Sequence, residues 1–217
     1  MNYDVYISTM LHDTIALVTI FNPIAAASIM LSMISPTTPA VIRHIAKRTT
    51  LTILIASLAT LFTGEFIFHF FGISVLSIKV IGGIILMMIA INMAYGHGSA
   101  SRHTPEERDE AQEKEDISII PLGIPILFGP GVIAMIIVLN HADTKIFGVI
   151  VSYALIALSI LLSTAIVYFS LRYAGVIYRF LGVTGTKILT RIMGLIVGAI
   201  AAQFIVEGIK GLWMQTS

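Results

Sequence analysis

The chain has 217 residues, of which 57% are hydrophobic and 12% charged; 13 Lys and Arg stand against 12 Asp and Glu, and the mean hydropathy is +0.94. A water-soluble domain carries about twice that charged fraction, so the composition excludes an ordinary soluble domain and describes an integral membrane protein with little room for a separate soluble unit. A net charge of +1, without a basic groove interleaved with aromatics, gives no basis for nucleic-acid binding, and the absence of cysteine excludes disulfides and thiol chemistry.

Six apolar runs are long enough to cross a hydrocarbon core of roughly 30 Å. They cover 14–34, 49–71, 73–95, 117–140, 146–170 and 188–208. The residues before the first run include no Lys or Arg. They lack the basic region of a cleavable signal peptide, so the first run is expected to remain as a span.

The first run contains Thr19-Ile20-Phe21-Asn22-Pro23-Ile24-Ala25, and the fourth contains Ile126-Leu127-Phe128-Gly129-Pro130-Gly131-Val132. Each puts Phe-X-Pro in mid-span. Proline has no N–H and clashes with the carbonyl four residues back, so it breaks or kinks a helix. Broken backbone inside a bilayer is tolerated only where protein or a water-filled cavity receives it. Two such breaks at matching places point to a binding site at the bilayer midplane. The alternative is that each proline is a packing kink.

Gly72 alone separates the second and third runs, which predicts a tight hairpin. Residues 97–116 are the one polar linker, with seven acidic residues against Arg102, Arg108 and Lys114. That composition suits a mobile loop or a short solvated helix. Its histidines, His97 and His103, show no metal-ligand spacing, and no metal or other cofactor is expected. With the N-terminus outside, ten of the 13 Lys and Arg fall on the cytoplasmic side and three, Lys79, Lys145 and Lys210, fall outside. The positive-inside bias therefore predicts both termini outside, in a cell (inner) membrane.

The expected architecture is all-α: two three-helix repeats, 1–96 and 117–217, joined by the charged linker 97–116. Three spans is an odd number, so the repeats are inverted. Phe21-Asn22-Pro23 aligns with Phe128-Gly129-Pro130. Lys79-Val80-Ile81-Gly82 aligns with Arg191-Ile192-Met193-Gly194, and Ala90 with Ala202. Glycine-containing lead-ins, Phe71-Gly72-Ile73-Ser74 and Leu181-Gly182-Val183-Thr184, precede the third and sixth spans. Inverted repeats are a common ground plan of secondary transporters. Gly194, Gly198 and Ala202, like Gly82 and Ala90, are spaced for close helix packing.

Several of these motifs resemble the MarC family of six-span membrane proteins, which has also carried the label UPF0056. They are Phe-Asn-Pro in the first span, Phe71-Gly72-Ile73-Ser74, Lys79-Val80-Ile81-Gly82-Gly83 and Ile120-Pro121-Leu122-Gly123-Ile124-Pro125. The strongest is Gly129-Pro130-Gly131-Val132-Ile133-Ala134-Met135-Ile136, and Arg191-Ile192-Met193-Gly194-Leu195 and Gln203-Phe204-Ile205 complete the series. The resemblance covers nearly the whole chain. It implies transport of small neutral amino acids, since the family includes archaeal transporters of glycine and alanine. The family often has glycine after the first-span proline; Ile24 stands there in this chain.

A zwitterionic substrate needs partners for a carboxylate and an ammonium. A helix restarting after proline offers free N–H groups and the positive end of its dipole to the carboxylate, while carbonyls freed upstream suit the ammonium. The candidate substrate-binding residues are therefore Asn22, Pro23, Ile24, Ala25, Gly129, Pro130, Gly131 and Val132, with Asn22 capping the restarted helix. The absence of bulk at Gly129, Gly131 and Ala25 favours a small substrate. For coupling to H+ or Na+, Glu65 and His69 are four residues apart on one helix face and form a candidate proton relay. The alternative is that both reach water at the interface. Lys79 and Arg191 are read as snorkelling anchors or gate residues, and Gln203 as a structural hydrogen-bonder.

The leading functional reading is a secondary transporter whose partners are the lipid bilayer and a small neutral amino acid. The oligomeric state is open, a homo-oligomer included. The competing readings are a non-transporting membrane stress or partner protein working through its linker, or an exporter of another small solute. An enzyme is not expected: no span carries His-Glu-x-x-His, Gly-x-Ser-x-Gly or a pair of aspartates, and there is no P-loop.

Overall fold

The computed structural model describes residues 3–34, 38–95 and 117–216; the expected linker, with His97 and His103, lies outside the described residues. All the elements among them are helical. The helices are α1 (Tyr3–Phe21), α2 (Pro23–Met33), α3 (Pro39–Phe70), α4 (Val75–Tyr95), α5 (Pro130–Phe147), α6 (Val149–Arg172) and α7 (Ala174–Thr216). Counting α1 and α2 as one broken span, six are long and apolar enough to cross a membrane.

The first span breaks at Asn22, whose φ of 46° and ψ of 62° lie in the left-handed region. Asparagine enters that region more readily than most side chains. Its side-chain oxygen accepts from the Ala25 N–H at 3.4 Å, and Pro23 follows in the first turn, where its missing N–H is harmless.

The fourth span differs from expectation. α-Helix begins only at Pro130, and residues 117–129 form no regular α-helix. Their backbone bonds run five residues back, from Leu122 to Ile117, Ile124 to Ile119, Ile126 to Pro121 and Phe128 to Gly123. Pro121 and Pro125 explain this: with Pro130 they remove three donors from an α-ladder within ten residues.

Three helices also start well before the expected spans, α1 at Tyr3 rather than near residue 14, and likewise α3 and α7. α3 starts at Pro39 rather than near residue 49, capped by Thr38, whose hydroxyl accepts from the Val41 N–H at 3.4 Å. Its 32 residues measure about 48 Å, longer than a hydrocarbon core, and the first turns carry exposed Arg43, Lys47 and Arg48. α7 starts at Ala174 and bends at Gly182 (φ 63°, ψ −174°) before the expected sixth span. The hairpin between α3 and α4 is tight, with Gly72 at φ 68° donating to His69 O at 2.9 Å.

Burial separates the spans. The apolar windows of the first and fourth are 56% buried each, against 22%, 28%, 33% and 28% for the second, third, fifth and sixth. The two interrupted spans thus form the centre, around fully buried Leu17, Met30, Ile136, Ile156 and Ile160. Exposed Ile55, Phe62, Phe66, Met88, Leu158 and Leu195 give the outer surface the apolar character that lipid requires.

α4 and α7 pack against each other over a long stretch. A Cβ at Gly83 would stand 2.9 Å from Ala201 O, one at Gly194 3.1 Å from Ala90 O, and one at Gly208 2.8 Å from Leu76 O. Glycine permits that approach. The buried stripe on α7 is Gly194, Val197, Ala201, Phe204 and Gly208, whereas Ala202 is exposed. Four-residue steps overshoot a 3.6-residue turn, so a face read at 194, 198 and 202 drifts away from α4. Gly82 faces Ala134 on α5 instead.

Candidate functional site

Both interruptions line one cavity of about 210 Å³. Six of the eight sequence-derived candidates stand in its wall: Asn22, Ala25, Gly129, Pro130, Gly131 and Val132. Pro23 and Ile24 do not; Pro23 is buried behind it and Ile24 is half-buried. The sequence reading missed two polar members, Asn92 of α4 and Thr190 of α7. Asn92 was visible as the one amide in the third apolar run.

Each helix restart leaves one amide uncommitted among the described bonds. In α2, Pro23 has no N–H, Ala25 N–H goes to Asn22 Oδ1 and Ala26 N–H to Asn22 O, leaving that of Ile24. In α5, Pro130 has no N–H, and Val132 and Ile133 N–H both turn to Gly129 O, leaving that of Gly131. Gly131 is in the wall, and a Cβ there would lie 2.9 Å from Leu86 Cδ2. The rest of the lining is largely apolar: Ile20, Phe21, Ile85, Ile89 and Met93 among others.

The cavity extends from the breaks toward one end of the molecule. Ile29, Ile89, Asn92, Met93 and Thr190 all lie between the breaks and the end of the molecule where Met33, Pro39 and Tyr95 sit. Toward the opposite end, where α1 begins at Tyr3, α1, α5 and α6 close over fully buried Leu17, Ile136 and Ile160.

The candidate relay residues fall outside the cavity. Glu65 Oε1 stands 3.4 Å from His141 Nδ1 on α5, so its partner is His141 and not His69, which is exposed. Lys79 Nζ meets Glu207 Oε2 at 2.7 Å, joining α4 to α7, and Gln203 donates to Glu207 Oε1 at 2.9 Å. Arg191 is exposed. Among the described residues no group of three or more His, Asp or Glu stands together as a metal site. Two buried carboxylic side chains, Asp13 on α1 and Asp143 on α5, went unremarked in the sequence because each lies just beyond the edge of an apolar run.

Six apolar helices, lipid-compatible outside and interrupted at the centre around a partly polar cavity, define an integral membrane protein of the six-span all-helical class. The chain belongs to the MarC family: the model described as "MarC family integral membrane protein" matches residues 7–213. It is similar to a UPF0056 membrane protein of Aquifex aeolicus (33% identity over 198 residues, 91% of each chain). It is likewise similar to UPF0056 membrane protein YhcE of Escherichia coli (34% over 202 residues, 92% of this chain and 91% of that one). UPF0056 membrane protein MJ1677 of Methanocaldococcus jannaschii is 38% identical over 192 residues, 88% of this chain and 91% of that one. No solved structure matches the chain.

Proposed function

We propose that this protein is a secondary transporter of small neutral amino acids of the glycine and alanine class, working in the cell (inner) membrane without enzymatic activity. The observation that carries the reading is the convergence of two proline-initiated helix N-termini on one cavity. The positive ends of α2 and α5 and the Gly131 N–H suit a carboxylate; the carbonyls relieved of partners by Pro23 and Pro130, with the Asn22 and Asn92 amide oxygens, suit an ammonium. A volume of about 210 Å³ falls below the roughly 300 Å³ at which drug-sized pockets begin, which fits a solute of a few heavy atoms. Two matched features of the halves, proline in the first turn of α2 and α5 and positive-φ glycine at Gly72 and Gly182, support an inverted repeat. With the termini outside, Asn92 and Thr190 lie on the cytoplasmic side of the breaks.

The test is flux of labelled glycine and alanine in proteoliposomes of purified protein, with and without proton and sodium gradients. Asn22→Leu removes the cap and fills the wall; Gly131→Leu drives a side chain onto Leu86. Each is expected to cut flux at least roughly tenfold, the effect of about 1.4 kcal/mol at the site. Wild-type flux that both variants retain would return Pro23 and Pro130 to the status of packing kinks. Flux of a different small solute, with none of glycine or alanine, would favour the alternative exporter reading.

A further inference from the structure

On the Tyr3 side of the breaks, α1 and α5 meet through Asp13 and Asp143, only 1% and 4% exposed. α1 and α5 pack against each other here, and the two carboxyl groups interact across that contact. Both Oδ2 atoms are sealed from solvent and receive no donor from the rest of the protein. A carboxylate can only accept, so two carboxyl groups bond to each other only when one carries a proton. Two bare charges left unpaired in the interior would be strongly unfavourable. Asp13 Oδ1 lies 3.1 Å from His12 Nδ1, and the His12 side chain is 73% exposed. An exposed imidazole is thus joined to a buried carboxyl pair.

We propose that Asp13 and Asp143 together form a proton-binding site, loaded from the Tyr3 face through His12, at which proton movement is coupled to solute movement. The coupling rests on the transport reading; the proton site does not. Loading takes a proton from water onto His12 Nε2, and the Nδ1–H then passes its proton to Asp13 Oδ1. The imidazole ends neutral and the pair gains one proton. Release is the reverse, and no other bond changes.

The surroundings favour a proton over a metal cation, because nearby oxygens are already committed. Asn140 O and Oδ1 both accept from Ser152 Oγ, and Met10 O accepts from Thr14 Oγ1 and Ser159 Oγ. Hard cations require about six oxygens, and Thr144 Oγ1 is the one further buried, unpartnered side-chain oxygen on α5 among the described residues. The other titratable groups on the helices packed here include Tyr3, Asp4 and Tyr6 on α1, His141 and Lys145 on α5 and Tyr153, Tyr168 and Arg172 on α6. α3 adds Glu65, bonded to His141, and His69; α7 adds Glu207, bonded to Lys79, and Lys210.

The experiment is infrared difference spectroscopy of the full chain in nanodiscs during a pH titration, with H2O and D2O compared, alongside gradient-driven uptake of glycine and alanine in proteoliposomes. Wild type is expected to show a carboxylic-acid carbonyl band. Asp13→Asn and Asp143→Asn should each abolish it, because the introduced amide donates to the remaining carboxylate. Both isosteric variants should lose proton-driven accumulation by roughly tenfold or more and retain exchange of labelled for unlabelled solute at equal pH. His12→Gln should slow the response of the band to a pH jump without removing it. Absence of the band in wild type, its persistence in either Asn variant, its removal by sodium ions, or an unslowed response in His12→Gln would overturn the proposal. Loss of the band in both Asn variants, with no flux of either solute in wild type, would uphold the proton site while overturning the transport reading.

Discussion

Asn22 is the one non-glycine with a positive φ among the described residues. Its short amide makes that tolerable by folding back onto Ala25 N–H, and the same side chain stands in the cavity wall. Residue-scale tolerance elsewhere is set by contact. At Gly194 a Cβ would lie 2.8 Å from Met93 Cβ and 3.1 Å from both Ala90 O and Ala94 N. Those last two are backbone atoms on α4, so relief requires the helices to part. Gly194→Val is therefore expected to destabilise the protein by about 1–3 kcal/mol, the usual range for overpacking. The check is a lower thermal midpoint in detergent; an unchanged midpoint would mean that α4 and α7 are not this close.

At the scale of elements, the bends decide where helices point. Gly182 adopts φ 63° and ψ −174°, a conformation essentially restricted to glycine, yet no atom lies within 4 Å of where its Cβ would be. Gly182→Ala thus isolates backbone strain, expected at about 1–3 kcal/mol. Gly175→Ala, nearby in the same helix with open space and no positive φ, is the control and should leave the thermal midpoint near that of the wild type. Equal effects would remove the bend as the cause.

The prolines at which α2 and α5 begin, Pro23 and Pro130, and the Gly72 hairpin were legible in the sequence because proline and glycine act locally. The disposition of 117–129 was not: a hydropathy run reads Ile117 to Phe128 as continuous span, although Pro121 and Pro125 already deny it an α-ladder. The Ala202 face failed because four-residue spacing only approximates a helical stripe. Asp13 and Asp143 escaped because a charged residue ends an apolar run on paper, whereas in the fold both side chains are buried. Glu65 was paired on paper with the nearest histidine on its own helix, His69, while tertiary packing supplied His141.

For the whole molecule, the two interrupted spans are the most buried and the four continuous ones surround them. A fold organised in this way concentrates its polar backbone where substrate is expected, and among the described residues the cavity wall is drawn from outside 102–116. Deleting 102–116 should therefore leave glycine and alanine flux intact, whereas a partner protein acting through its linker would lose its activity.

The absence of native cysteine allows the central claim to be tested directly. Ala25→Cys and Ile126→Cys each place a single thiol in the cavity wall, one at each break. The account predicts that a small thiol reagent labels both and that saturating glycine or alanine slows the labelling at both positions, while glutamate does not. Labelling indifferent to glycine and alanine at both thiols, in variants that still sustain flux, would contradict a substrate site between the two helix restarts.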